Sequence, residues 1–153
     1  MSAGASRLLW LLCALWLTAP AWAGHYARQQ VVYHVNYDDP DRQLRALRNI
    51  GNHLRAVGPD NIDLRVVAHG EGVSLLRRPV TALPDALDAA WGMRRLIDAY
   101  REAGVRFLVD RASLRRRGLR PADLYGVRPE DVLDNGIAEL VRLQTAGFTY
   151  LKP

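Results

Sequence analysis

"LRNIGNHLRAVGPDNIDLRVVAHGEGV", residues 47–73, changes its hydrophobic period halfway along, and that change decides the fold. With Leu44 just upstream, Leu47, Ile50, Leu54 and Val57 recur at steps of three and four, which places them on one face of a helix. Gly58-Pro59 ends it. "DLRVVAHG" (63–70) then reads as a strand, short, valine-rich and delivered into a glycine-rich turn. Working outward, "QQVVYHVN" (29–36) and "VRFLVD" (105–110) read the same way. Between the second and third strands Leu83, Leu87, Ala90, Met93, Ile97 and Tyr100 share a helical face, with Pro84 at its start and Gly104 at its end. A last helix, "NGIAELVRLQTAG" (135–147) capped by Asn135, leads into a terminal strand in "FTYLKP" (148–153). Strands alternating with helices, and nearly continuous in apolar residues, predict parallel right-handed crossovers. The expected class is α/β, a three-layer, mostly parallel sheet with helices on both faces, flavodoxin-like in its layering. "GLRPADLYGVRPED" (118–131) reads as a loop or short-helix segment, and no internal repeat or linker interrupts the chain.

Residues 1–23 read as a secretory leader. Arg7 supplies the positive start, "LLWLLCALWL" (8–17) is apolar but short for a bilayer, and Ala21-Trp22-Ala23 meets the small-x-small requirement for cleavage before Gly24. An uncleaved anchor helix is the alternative. Cleavage leaves residues 24–153 as one domain with a core of ordinary size, and lowers the formal net charge of +5 by one. Cys13 is the one cysteine of the chain, and Leu12 precedes it where a lipoprotein acceptor needs a small residue. The processed protein would therefore carry no disulfide, thiolate nucleophile or thiolate metal site. It is expected in the periplasm or outside the cell, free of the membrane once cleaved.

In a parallel sheet, ligands gather beyond the carboxyl ends of the strands. Those ends deliver Asn36, Tyr37, Asp38 and Asp39; His69, Gly70, Glu71 and Gly72; Asp110, Arg111 and Ser113; and, after a short "DVL" strand (131–133), Asp134, Asn135 and Gly136. Capping and turn formation account for most of these residue types. His69 and Asp110 are less easily absorbed, and with Asn36, Asp38 and Asn135 they form the candidate ligand site. His34, inside its strand, reads as a packed core residue. Arg111, Arg115, Arg116 and Arg117, with Arg120 just beyond, form the densest positive cluster. It reads either as a solvated helix face or as a grip on an anionic partner. Nucleic acid is not expected, because no aromatic residues interleave with the arginines and the chain is read as exported.

"YHVN" (33–36), the 47–73 stretch, "FLVDRASLRRRGLRPADL" (107–124) and "GIAELVRLQTAGFTYLKP" (136–153) together resemble the DsrE/DsrF-like family of small sulfur-relay and related proteins. The resemblance implies a compact subunit with a five-stranded parallel sheet that assembles into trimers or hexamers, and places His53 near a subunit contact. It also implies that active members carry a cysteine at the exit of the third strand, followed by an Arg-Gly. Arg117-Gly118 stands in place here, and Asp110 occupies the cysteine's position. A carboxylate has no sulfur with which to accept a sulfane atom. Two readings follow. One is a cysteine-less binding or scaffold protein of a sulfur or redox system, without a cofactor, with a protein partner and with Asp110 serving as a helix cap. The other is a small-ligand or metal site, or an enzyme, using Asp110 and His69 with help from Asp38 or Asn36.

Overall fold

A computed structural model describes residues 26–78 and 84–153, the side chains of 84–91 excepted. The leader, its cleavage point at Gly24, and the contributions of Leu83, Leu87 and Ala90 to a helical face lie outside the described residues. In order the chain forms β1 (Gln29–Val35), α1 (Pro40–Val57), β2 (Ile62–Ala68), α2 (Pro84–Glu102), β3 (Arg106–Asp110), α3 (Arg111–Arg116), β4 (Val132–Leu133), α4 (Gly136–Thr145) and β5 (Thr149–Leu151). The five strands make one parallel sheet in the order β4-β3-β2-β1-β5. The first four strands step across the sheet in one direction, and α4 then carries the chain back to the far edge. The layering is the expected one, although this order is not the flavodoxin order 2-1-3-4-5.

Reversal of direction puts the last helix on the opposite face. Alternate residues of the strands accordingly divide between two cores. Val31, Tyr33, Val35, Leu64, Val66, Phe107 and Val109 pack with Leu47, Ile50 and Leu54 of α1 and Ile97 of α2. Val32, Val67 and Leu108 pack instead with Leu140 and Leu143 of α4 and with Phe148. The 3.6-residue pattern of α1 is thus the face it buries, and Leu47 and Ile50 are wholly enclosed. Each of these side chains contributes about 1.5–3 kcal/mol by leaving water. Asp39 starts α1 by accepting from the Arg42 amide at 3.0 Å, with Pro40 at the first helical position. Gly58 stops it at φ +87°, a conformation that side chains disfavour.

Register carries the fold to its functional end. Val35 pairs with Ala68, Ala68 with Val109, and Val109 with Val132. The residues that follow, Asn36, His69 and Asp110, are therefore brought into one row across three adjacent strand exits. The glycine-rich turn after β2 is a 3-10 helix, Gly70–Leu76, and the 118–131 segment holds two more, Pro121–Asp123 and Pro129–Asp131, each started by a proline.

Candidate functional site at the carboxyl edge of the sheet

Asp110 ends β3 almost fully enclosed, with 1% of its surface exposed. Its Oδ1 accepts from the Ser113 amide at 3.0 Å, so the carboxylate caps α3. Ser113 Oγ in turn accepts from the Gly70 amide at 2.7 Å and from the Arg116 guanidinium at 3.0 Å. This one hydroxyl ties the β2 exit to the start of α3. His69 turns to the α4 side of the sheet, as does Asp110, and its amide donates to the Val35 carbonyl at 3.0 Å. Over both sits Gly136, the first residue of α4: a Cβ there would stand 3.1 Å from Cβ of Asp110 and 3.2 Å from Cδ2 of His69. Asn135 starts that helix by accepting from the Ala138 amide at 2.9 Å.

The structure thus brings His69 and Asp110 together beneath the start of α4, next to Asn135. Asn36 lies in the same row, its backbone close against Gly72. Asp38 points elsewhere. It faces Arg117, 3.9 Å away, and Arg117 also pairs with Glu71, so that one guanidinium clamps the β1 exit to the turn after β2. The other arginines of the cluster diverge. Arg111 pairs with exposed Asp134 at 3.4 Å, Arg116 bonds Ser113, and Arg115 stays at the surface. His53 is held within the chain: its Nε2 donates to Gln29 at 2.7 Å, and Tyr33 Oη donates to its Nδ1 at 3.1 Å.

His34 is the packed, hydrogen-bonded core residue that its place inside β1 suggests, and it also lies beside the candidate site. It belongs to the α4 face, like Val32, and is 6% exposed. Its Nδ1 meets Tyr150 Oη at 2.9 Å across the β1–β5 pair, and its ring centre lies 5.8 Å from that of His69. Nε2 of His34 and Nδ1 of His69 are both buried without a hydrogen-bond partner. Burial lowers the His34 pKa from 6.5 to about 4, with His69 and Lys152 adding to the effect. A folded pKa below the unfolded value means that the unfolded chain binds more protons between those values, so stability is full above pH 6.5 and is lost as the pH falls towards 4. Urea denaturation at pH 7 and pH 4 should differ by about 2–3 kcal/mol through this residue. His34→Gln should remove that part of the slope, and an unchanged slope would count against a neutral buried His34.

Among the described residues, no group of three or more His, Cys, Asp or Glu side chains is placed to hold a metal ion. None of the described helices is long and apolar enough to cross a membrane. On the opposite face, at the same edge of the sheet, a cavity of about 410 Å3 opens between the start of α1, the turn after β2 and the middle of α2.

The model of the DsrE/DsrF-like family matches residues 30–153, from the second residue of β1 to the last residue of the chain. The chain belongs to the DsrE/DsrF-like family. No curated protein matches it. Among solved structures, it is similar to the protein of unknown function MTH1491 from Methanobacterium thermoautotrophicum, at 30% identity and a TM-score of 0.66, over 82% of this chain and 99% of that one. It is also similar in fold to the ychN protein from E. coli, at 16% identity and a TM-score of 0.59, over the same shares of the two chains. The DsrE/DsrF-like assignment agrees with the five-stranded parallel sheet, and places β3, Asp110 and α4 inside the matched region.

Proposed function

We propose that this DsrE/DsrF-like protein is an exported, self-assembling binding or scaffold protein linked to sulfur or redox metabolism, and is not itself a persulfide carrier. The observation that carries this reading is Asp110: the side chain at the β3 exit is a carboxylate, enclosed and used to start α3. Cys13, the one thiol, falls within the apolar leader and would be removed with it. Assembly is supported by the outer side of α4, where Ile137 and Val141 stand one turn apart at 48% and 58% exposure, with Tyr150 of β5 also uncovered. Apolar side chains grouped in this way favour a symmetric subunit contact, here a trimer or hexamer.

Native mass spectrometry of the full chain expressed with export, before and after treatment with polysulfide, tests the reading. The expected result is an oligomer beginning at Gly24 whose mass polysulfide leaves unchanged. Sulfur added to the processed chain, or a monomer, would overturn it. A second reading, a ligand or cation site using His69 and Asp110, is favoured by the unpartnered Nδ1 of His69. It would predict bound mass or metal that is lost in His69→Ala.

A further inference from the structure

The cavity on the α1 and α2 face presents guanidinium groups to a chamber of small-molecule size, about 410 Å3. Among the described residues, Arg77, Arg78 and Arg94 line it, against one carboxylate, that of Asp38, which already faces Arg117. Among the described residues, Arg77 and Arg78 form no ion pair. Asp123, the carboxylate whose pKa Arg77 helps to lower, is held first and chiefly by Arg120 through side-chain and backbone hydrogen bonds.

Both arginines are fixed from behind. Arg77 pairs with Leu124 in an antiparallel bridge, the Arg78 amide donates to Asp123 O at 3.0 Å, and the Tyr125 amide donates to Leu76 O at 2.7 Å. Nε of Arg78 donates to Leu124 O at 2.9 Å, which anchors the guanidinium and leaves its terminal nitrogens without a hydrogen bond among the described residues. The polar floor is equally fixed. Gln43, 3% exposed, donates to Tyr37 O at 2.8 Å and to Ser74 Oγ at 2.7 Å, and Ser74 donates to Glu71 O. Leu75, Met93 and Pro40 complete the wall with apolar surface.

The adjacent guanidiniums of Arg77 and Arg78, without carboxylate partners among the described residues, beside a hydrogen-bonded polar floor and an apolar wall, suit one class of ligand. We propose that this cavity binds a small organic anion, its oxyanion head held by Arg77 and Arg78 and its apolar remainder laid on Met93, Leu75 and Pro40. The proposal goes beyond the scaffold reading and does not depend on assembly or on export. It concerns the opposite face of the sheet from His69 and Asp110.

Calorimetric titration of the processed protein with inorganic phosphate and with phenyl phosphate, at low ionic strength, tests it. Phosphate should bind with a dissociation constant of roughly millimolar order. Phenyl phosphate should bind about tenfold tighter, because its ring leaves water against the apolar wall. Arg77→Gln removes a side chain that makes no hydrogen bond within the described chain, so the variant should fold. It should weaken both ligands about tenfold or more, the usual consequence of losing one charge-assisted contact. Arg115→Ala, on the exposed side of α3, should bind as the parent does. No binding of either probe up to about 20 mM, where a site of millimolar affinity would be nearly saturated, would overturn the proposal. Unchanged affinity in Arg77→Gln, or equal loss in Arg115→Ala, would do the same.

Discussion

Gly72→Ala is expected to lower the melting temperature by about 10 °C, or to prevent folding, although it adds a single methyl group. Gly72 lies buried in the turn after β2, with its α-carbon turned to the end of β1. A Cβ there would overlap the Val35 carbonyl oxygen and stand 2.8 Å from the Asn36 nitrogen. All the atoms it meets are backbone, so no rotamer change relieves the overlap. Val35 O is also the acceptor for the His69 amide at 3.0 Å. Moving it would break the contact that aligns the first two strand exits. Overpacking ordinarily costs about 1–3 kcal/mol, and a backbone overlap at a fixed strand end belongs at the top of that range. Gly92→Ala provides the contrast, since nothing lies within 4 Å of its added Cβ and it sits inside α2. That change should stabilise by a few tenths to about 1 kcal/mol. Thermal melts followed by circular dichroism decide the matter: a Gly72→Ala variant melting with the parent would mean that the turn does not hold the strand ends.

The same contact explains why the fold was legible in the sequence and the site only partly so. The helical period of Leu47, Ile50, Leu54 and Val57, and the valine runs of the strands, report which surfaces need burial, and burial dictates layers. Two features are invisible to that signal. One is register, which sets His69 beside Asp110 through pairings of residues far apart in sequence. The other is the return of α4 to the opposite face, which separates Asp38, on one side of the sheet, from His69 and Asp110, on the other. His34 shows the difficulty most clearly. Its alternation with Val32 places it on one face, but its closeness to His69 and Tyr150 depends on β1 lying between β2 and β5. The arginines show the converse. Arg115, Arg116 and Arg117 are consecutive, yet helix rotation sends one to the surface, one to Ser113 and one to Glu71 and Asp38. Arg77 and Arg78, an unremarkable pair in the chain, gain their interest from the cavity beside them.

Asp110→Ala should cost about 2–3 kcal/mol, and Asp110→Asn less than about 1 kcal/mol. The alanine leaves the Ser113 amide, a buried donor at the start of α3, with no acceptor, whereas the asparagine retains an oxygen at the same position. Urea denaturation of the three proteins separates a cap from a charged ligand. A cap requires an acceptor and tolerates loss of charge, while a ligand site that needs the anion would lose its ligand in the asparagine variant with stability intact. The enclosure of this position makes Asp110→Cys informative in a different way. Gly136 stands over the side chain and 1% of the residue is exposed, so a thiol there should react with Ellman's reagent far more slowly in the folded protein than in urea. Rapid labelling of the folded variant would mean that the β3 exit opens readily to solvent. Slow labelling would mean that α4 keeps the β3 exit closed in the folded protein, as the proposed reading of a chain that does not carry persulfide at this position expects.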